Sequence, residues 1–215
     1  MEHLLNRFNN AQEAFEKIYD FINSNGIKYN DTKALFNVGF FIDNPIERDI
    51  NTPKRNWKKD YAEYEWDWYL SGNRSVSEIK KIAKIWDRMH NGDDLVNSNY
   101  GYQWLRNNQI QYIIDELNKN KHSRRAVISI YDGKEHSEYE HDTPCTLSIG
   151  FNVIDNRLNM SVYMRSNDVW FGFCNDQYCF SKLLELIANK LQLEVGWYYH
   201  HATNMHIYER HFDKL

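Results

Sequence analysis

Cys145 is the side chain with the strongest claim to covalent chemistry. It sits in the segment Asp142-Thr143-Pro144-Cys145-Thr146, just ahead of an apolar run, and Pro144 fixes the backbone before it. Taken alone, a thiol at a strand edge is usually a small buried hydrophobe. It becomes a nucleophile where nearby positive charge stabilises the thiolate. Arg165 and Ser166 end one expected strand, and Ser123-Arg124-Arg125 begin another. A guanidinium suits bidentate phosphate binding, although an arginine pair also fits a solvated strand end. Strand neighbours point to opposite faces, so Arg124 and Arg125 cannot both serve one site unless the backbone bends. Glu65 lies between Tyr64 and Trp66 in the run Tyr-Glu-Trp-Asp-Trp-Tyr. A carboxylate among rings is poorly solvated, which raises its pKa and suits a proton shuttle; an exposed helix face is the alternative. His200, His201, His206 and His211 lack the spacing of a usual zinc motif, so no metal is expected.

The elements that must position these groups are those of an α+β fold. The chain has 215 residues, 42% of them hydrophobic and 15% aromatic, which suits a single domain with a full core. Apolar spacing predicts helices over residues 7–24, 61–70, 75–89, 110–117 and 177–191. Strands are expected over 34–42, 126–131, 146–154, 158–164 and 196–208, with Asp155-Asn156 as a turn and the polar residues 43–56 as a loop. Helices come mostly first and strands later, so a mixed β-sheet with flanking helices is expected. The net charge of −4 does not suit a protein that coats nucleic acid, and no apolar run is long enough to span a bilayer. The N-terminal residues carry acidic groups and do not read as a signal peptide. Three cysteines without a CxxC pair point to a reducing, cytoplasmic setting.

Seven segments, in order, resemble the thymidylate synthase superfamily: YEWDWYLSG, KIWD, NSNYGYQW, SRRAVISIY, TPCTLSIGF, MRSNDVWFGF and NMHIYERHF. The similarity runs from about Tyr61 to Phe212; residues 1–60 of the 1–215 domain match weakly. Within the superfamily, NSNYG, SRR, the Cys145-Thr146 pair and the Asn175-Asp176 ending resemble the phage deoxycytidylate hydroxymethylase branch. Synthases proper usually have His where this chain has Thr146, and Gln where it has Met164.

This resemblance implies roles. Cys145 would add to carbon 6 of a pyrimidine nucleoside monophosphate and activate carbon 5 toward a one-carbon unit from 5,10-methylenetetrahydrofolate. Arg165 and Ser166 would hold the 5′-phosphate. Arg124 and Arg125 would reach across a homodimer interface to the partner's phosphate. Glu65 would move protons. Tyr100 and Asp168 would line the reaction centre and the pterin side, Trp86 would cover the adduct, and His206 and Tyr208 would contact the sugar hydroxyl.

Position 176 would choose the base. The matching synthase residue is Asn, which suits uracil. Asp176 would accept a hydrogen bond from cytosine's exocyclic amine and could share a proton with its ring nitrogen. Asp176 could instead cap the following helix, leaving Asn175 as the reader. The expected activity is hydroxymethylation of deoxycytidylate (dCMP), with water adding to an exocyclic methylene on the base. This would modify the nucleotide pool ahead of DNA synthesis, in the manner of a bacteriophage enzyme. The chain stops at Leu215, ahead of the segment that closes over folate in the synthases, which is expected to admit water. Alternatives are a uridylate hydroxymethylase, a thymidylate synthase, a ribonucleotide enzyme, or a nucleotide-binding relative without turnover.

Overall fold

A computed structural model describes residues 6–90, 92–140 and 142–215. In chain order the elements are β1 (Asn6–Phe8), α1 (Ala11–Asn25), β2 (Ile27–Tyr29), β3 (Thr32–Ile42), α2 (Lys59–Ser71) and α3 (Ile79–Ile82). Then come α4 (Tyr100–Leu105), α5 (Gln109–Lys119), β4 (Val127–Ser129) and α6 (Gly133–His136). Last are β5 (Thr146–Ile154), β6 (Arg157–Asp168), α7 (Cys174–Leu191) and β7 (Glu194–Tyr208). The seven strands form one mixed sheet in the order β1-β3-β7-β6-β5-β4, with β2 pairing on β3. This is the expected α+β arrangement, a mixed sheet with flanking helices in a single domain.

Helix α1 buries Ala11, Ala14, Phe15, Ile18, Tyr19 and Ile22, one face of a 3.6-residue repeat. It begins at Ala11 because Asn10 caps it, its side chain accepting from the Glu13 amide at 3.0 Å. Helix α2 stops at Gly72, whose φ of 60° is open to glycine at little cost. Asp155 and Asn156 have φ of 49° and 59° and make the tight β5–β6 turn, whose backbone matches the twist of the paired strands. Strands β6 and β7 run parallel, so the chain needs a crossover between them, and α7 supplies it. Helices α1 and α7 pack on this sheet. Along β7, Gly196, Tyr198, His200 and Ala202 are buried, while Trp197, Tyr199 and His201 are half-buried on the other face.

The helix expected over residues 75–89 does not form. Only Ile79–Ile82 is α-helical there, followed by a short 3₁₀ turn at Trp86–Arg88. Ser75 instead forms a bridge to Leu95, and its hydroxyl accepts from the Ser77 amide at 3.3 Å. Short polar side chains compete with helical hydrogen bonds in this way. The expected strand at 126–131 is regular over Val127–Ser129, while β6 runs four residues past its expected end, through Asp168.

Candidate active site

The strand end carrying Arg165, the approach to β5, the start of α7 and the end of β7 meet around one cleft of about 350 Å³. Its lining includes Cys145, Glu65, Tyr100, Trp86, Arg165, Ser166, Asp168, Asn175, Asp176, His206 and Tyr208. Two of the expected site residues lie elsewhere. Arg124 and Arg125 are both exposed and line a separate open groove with Glu116 and His122. No intrachain bend brings them to the Cys145 cleft.

Cys145 is held by its neighbours on both sides. The Arg165 amide donates to the Cys145 carbonyl at 2.8 Å, and the Arg165 guanidinium donates to the Thr143 and Pro144 carbonyls at 2.8 and 3.2 Å. Upstream, Asp142 Oδ2 accepts from the Asn97 amide at 2.7 Å, the Ser98 amide at 2.7 Å and the Ser98 hydroxyl at 2.8 Å. This clamps the Cys145 loop to the segment leading into Tyr100. Gly101 is needed there, because a Cβ would lie 1.5 Å from the Tyr69 carbonyl oxygen as α4 packs on α2. Burial pushes the Cys145 thiol up to about 11; the Arg165 charge pulls it down, and Asp176 and Asp142 push it up.

Glu65 is buried in the aromatic face of α2, 5% exposed. Burial raises its pKa to about 8, against the lowering effect of its hydrogen bond with Tyr61. The Trp86 indole donates to the Tyr61 hydroxyl at 2.9 Å, which donates to Glu65 Oε1 at 2.7 Å. A proton on Glu65 is therefore left to Oε2. Asp67, two residues on, faces solvent.

Helix α7 begins at Cys174, so Asp176 lies inside its first turn and is not its cap. The capping alternative for Asp176 is overturned; the capping carboxylate is Asp168, which accepts from the Trp170 and Phe171 amides at 3.0 and 3.2 Å and starts the π-helical turn Val169–Phe173. Asp176 can be reached from the cleft yet is enclosed by protein, and burial pushes its pKa up to about 7. Asn167 Nδ2 donates to its Oδ2 at 2.7 Å. The Asn175 side chain is taken by the Trp57 indole, which donates to Oδ1 at 2.8 Å. His206 Nδ1 pairs with Asn204 Oδ1 at 2.9 Å, and its ring meets Tyr208 edge-on at 5.1 Å. Burial lowers the His206 pKa and raises that of Asp168, and each charge opposes the shift on the other.

Tyr61 and His200 carry no sequence motif that marks them for this site, and the quoted segments holding Asp142 and Asn167 assign neither a role. They act on it through tertiary hydrogen bonds that spacing does not reveal. Among the described residues, no three His, Cys, Asp or Glu side chains gather as a metal-binding group.

The cleft gathers a thiol, a guanidinium and buried carboxylates at the carboxyl ends of β6 and β7. Residues 15–215 match the family description "Thymidylate synthase". The chain is 35% identical over 164 residues to the thymidylate synthase of Fusobacterium nucleatum, covering 74% of this chain and 59% of that protein. It is 29% identical over 194 residues to the thymidylate synthase of Bacillus mojavensis, covering 86% and 69%. It is 31% identical over 168 residues to the deoxycytidylate 5-hydroxymethyltransferase of Enterobacteria phage T4, covering 71% and 68%. The chain belongs to the thymidylate synthase family. It spans 59–69% of the length of these three relatives.

Proposed function

We infer that the chain is a deoxycytidylate 5-hydroxymethyltransferase. Synthases and hydroxymethylase match it at similar identity, so the choice between them rests on single side chains. The observation that carries the reading is the carboxylate of Asp176 in the Cys145 cleft, beside an Asn175 whose amide oxygen is already engaged by Trp57. A carboxylate accepts from cytosine's exocyclic amine, whereas against uracil's carbonyl it sets two acceptors face to face. A buried mismatch of this kind discriminates strongly between substrates.

In this reading the nucleotide phosphate binds at Arg165 and Ser166, and Arg124 and Arg125 complete that site on a second copy. Their exposed position outside their own chain's cleft supports such a donation in trans. So does the aromatic outer face of the sheet, where Phe41 packs on Trp197 at 5.1 Å and on Tyr199 at 4.7 Å. Tyr163 on this face remains 41% exposed. This apolar surface needs a cover, and a second sheet of the same chain provides one.

Cys145 sulfur bonds to carbon 6, and the electron pair of the 5,6 double bond makes carbon 5 nucleophilic. The thiol proton leaves first to water in the cleft, and the Arg165 guanidinium, held by the Thr143 and Pro144 carbonyls, favours the thiolate. Methylenetetrahydrofolate would supply a one-carbon unit at the oxidation level of formaldehyde; carbon 5 would give up its proton, tetrahydrofolate would depart, water would add to the methylene left on the base, and the Cys145 thiolate would be expelled from carbon 6. The cleft suits a flat pterin: Ile85, Trp86, Met89 and Phe171 give it an apolar wall, with Ile85 56% and Phe171 45% exposed. Asp168 offers a polar contact on that side. Glu65, protonated near neutrality and wired to Tyr61, moves protons and directs the water that becomes the new hydroxyl. His206 and Tyr208 lie where the sugar hydroxyl would bind.

The higher identity to a synthase favours a uridylate substrate as the second reading. Release of tritium from carbon 5 of deoxycytidylate or deoxyuridylate (dUMP), each supplied with methylenetetrahydrofolate, separates the two. The first reading requires faster release from deoxycytidylate, and preference for deoxyuridylate sinks it.

A further inference from the structure

Behind Asp176 runs a line of buried side chains that the chemistry above does not use. Tyr198 Oη lies 2.6 Å from His200 Nδ1, His200 Nε2 lies 3.1 Å from Asn167 Oδ1, and Asn167 Nδ2 lies 2.7 Å from Asp176 Oδ2. Tyr198 and His200 have no exposed surface, and Asn167 has 3%. The His200 ring is stacked on Phe40, with centroids 5.4 Å apart and planes at 27°, and meets Phe173 edge-on at 5.2 Å. It therefore has little room to turn.

Such a chain can be polarised in two directions. In one, the phenol donates to Nδ1, Nε2–H donates to Asn167 Oδ1, and Nδ2–H donates to the carboxylate. In the other, every donor is reversed, and the tyrosine oxygen accepts from His200. Among the described residues Tyr198 Oη has His200 as its only hydrogen-bond partner. The reversed chain leaves the phenol proton unpaired in the interior, which disfavours it roughly tenfold or more. Burial pushes the His200 pKa down to about 3, so the ring carries one N–H and cannot donate both ways.

We propose that Tyr198, His200 and Asn167 form a one-way donor chain that holds Asp176 as a hydrogen-bond acceptor at Oδ2 and presents its free oxygen Oδ1 to the amine of cytosine. They are positioning residues for base selection, and this rests on the reading of Asp176 given above. The titratable groups facing Asp176 are Glu65 and Tyr69 from α2, Tyr100 from α4, Cys145 before β5, Asp168 from β6, Cys174 and Cys179 from α7 and Tyr198 from β7. None of these is a cation, so the Asn167 amide is the group that offsets burial and favours the ionised, accepting carboxylate. Gly172 makes the contact possible, since a Cβ there would lie 3.0 Å from Asn167 Nδ2 and 3.4 Å from Asp176 Oδ2.

Two measurements test the chain. The first is nitrogen-15 NMR of the His200 ring in the nucleotide-free protein. A protonated Nε2 with a bare Nδ1 is expected, and an Nδ1–H tautomer overturns the proposal whatever the substrate. The second compares Tyr198→Phe, His200→Leu and His200→Gln by the pH profile of kcat/KM for deoxycytidylate and by the deoxycytidylate-to-deoxyuridylate ratio. Tyr198→Phe and His200→Leu should move the acidic limb to higher pH by about one unit and lower the ratio about tenfold. His200→Gln can accept from the phenol and donate to Asn167, so it should restore both. If the variants lose thermal stability with limb and ratio unchanged, the chain is only structural and the proposal fails. A wild-type preference for deoxyuridylate would refute the cytosine reading alone, because the tautomer measurement would still judge the chain.

Discussion

Asp176→Asn exchanges one oxygen for an amide nitrogen at the position proposed to read the base. Asn167 Nδ2 points at Oδ2 from 2.7 Å, so the new amide keeps its carbonyl there and turns its NH₂ to the place of Oδ1. That NH₂ opposes the amine of cytosine and leaves a buried donor unpaired, a cost of about 1–3 kcal/mol. Against uracil it donates to the carbonyl and recovers about 0.5–1.5 kcal/mol. The summed swing of about 1.5–4.5 kcal/mol corresponds to roughly 10- to 2,000-fold in the ratio of kcat/KM values. The assay is tritium release from carbon 5 with both nucleotides in competition, in wild type and variant. A ratio unchanged within threefold would refute the reasoning and move base selection to another side chain.

Three further outcomes follow from the same geometry. Cys145→Ser should abolish tritium release and leave nucleotide affinity, measured by calorimetry, within a few-fold; retained turnover contradicts the nucleophile assignment. Glu65 holds its proton up to about pH 8 in the folded protein, while the unfolded chain releases it near 4.5, so folding stability falls as pH rises between those values. Glu65→Gln should remove a pH dependence worth on the order of 5 kcal/mol over that window in denaturant titrations, and should lower kcat by about 10²–10⁴. Finally, Arg125→Glu and Cys145→Ser should each be inactive alone and recover activity when refolded together, since one site of the mixed dimer is then intact; no recovery would refute the donation in trans.

The longer strands and the long helices were legible because they bury one face, whereas the three-residue strands β1 and β2 are too short to show a period. The β5–β6 hairpin announces itself through apolar runs around Asp155-Asn156, and α7 through its helical repeat. The region 75–89 misled because serines that satisfy their own backbone look like helix positions to a hydrophobic pattern. Cys145, Arg165 and Asp176 could be found because each stands in a local motif. The network that tunes them could not. Trp86 and Tyr61 are 25 positions apart, and His200 is 33 from Asn167. His200 stood among four histidines whose spacing fits no zinc motif, and nothing in the sequence says that β7 turns it inward to Tyr198 and Asn167. Arg124 and Arg125 seemed unable to share a site because strand neighbours diverge; both in fact lie exposed at the start of β4, outside their own chain's cleft.

The central claim, that water and a folate-borne carbon are added to cytosine, is tested most directly by product mass spectrometry. The protein is incubated with deoxycytidylate and methylenetetrahydrofolate in water enriched with oxygen-18. The expected product is deoxycytidylate heavier by one CH₂O unit, with the heavy isotope in the new hydroxyl. A methylated product, or turnover of deoxyuridylate with deoxycytidylate left untouched, would contradict the account.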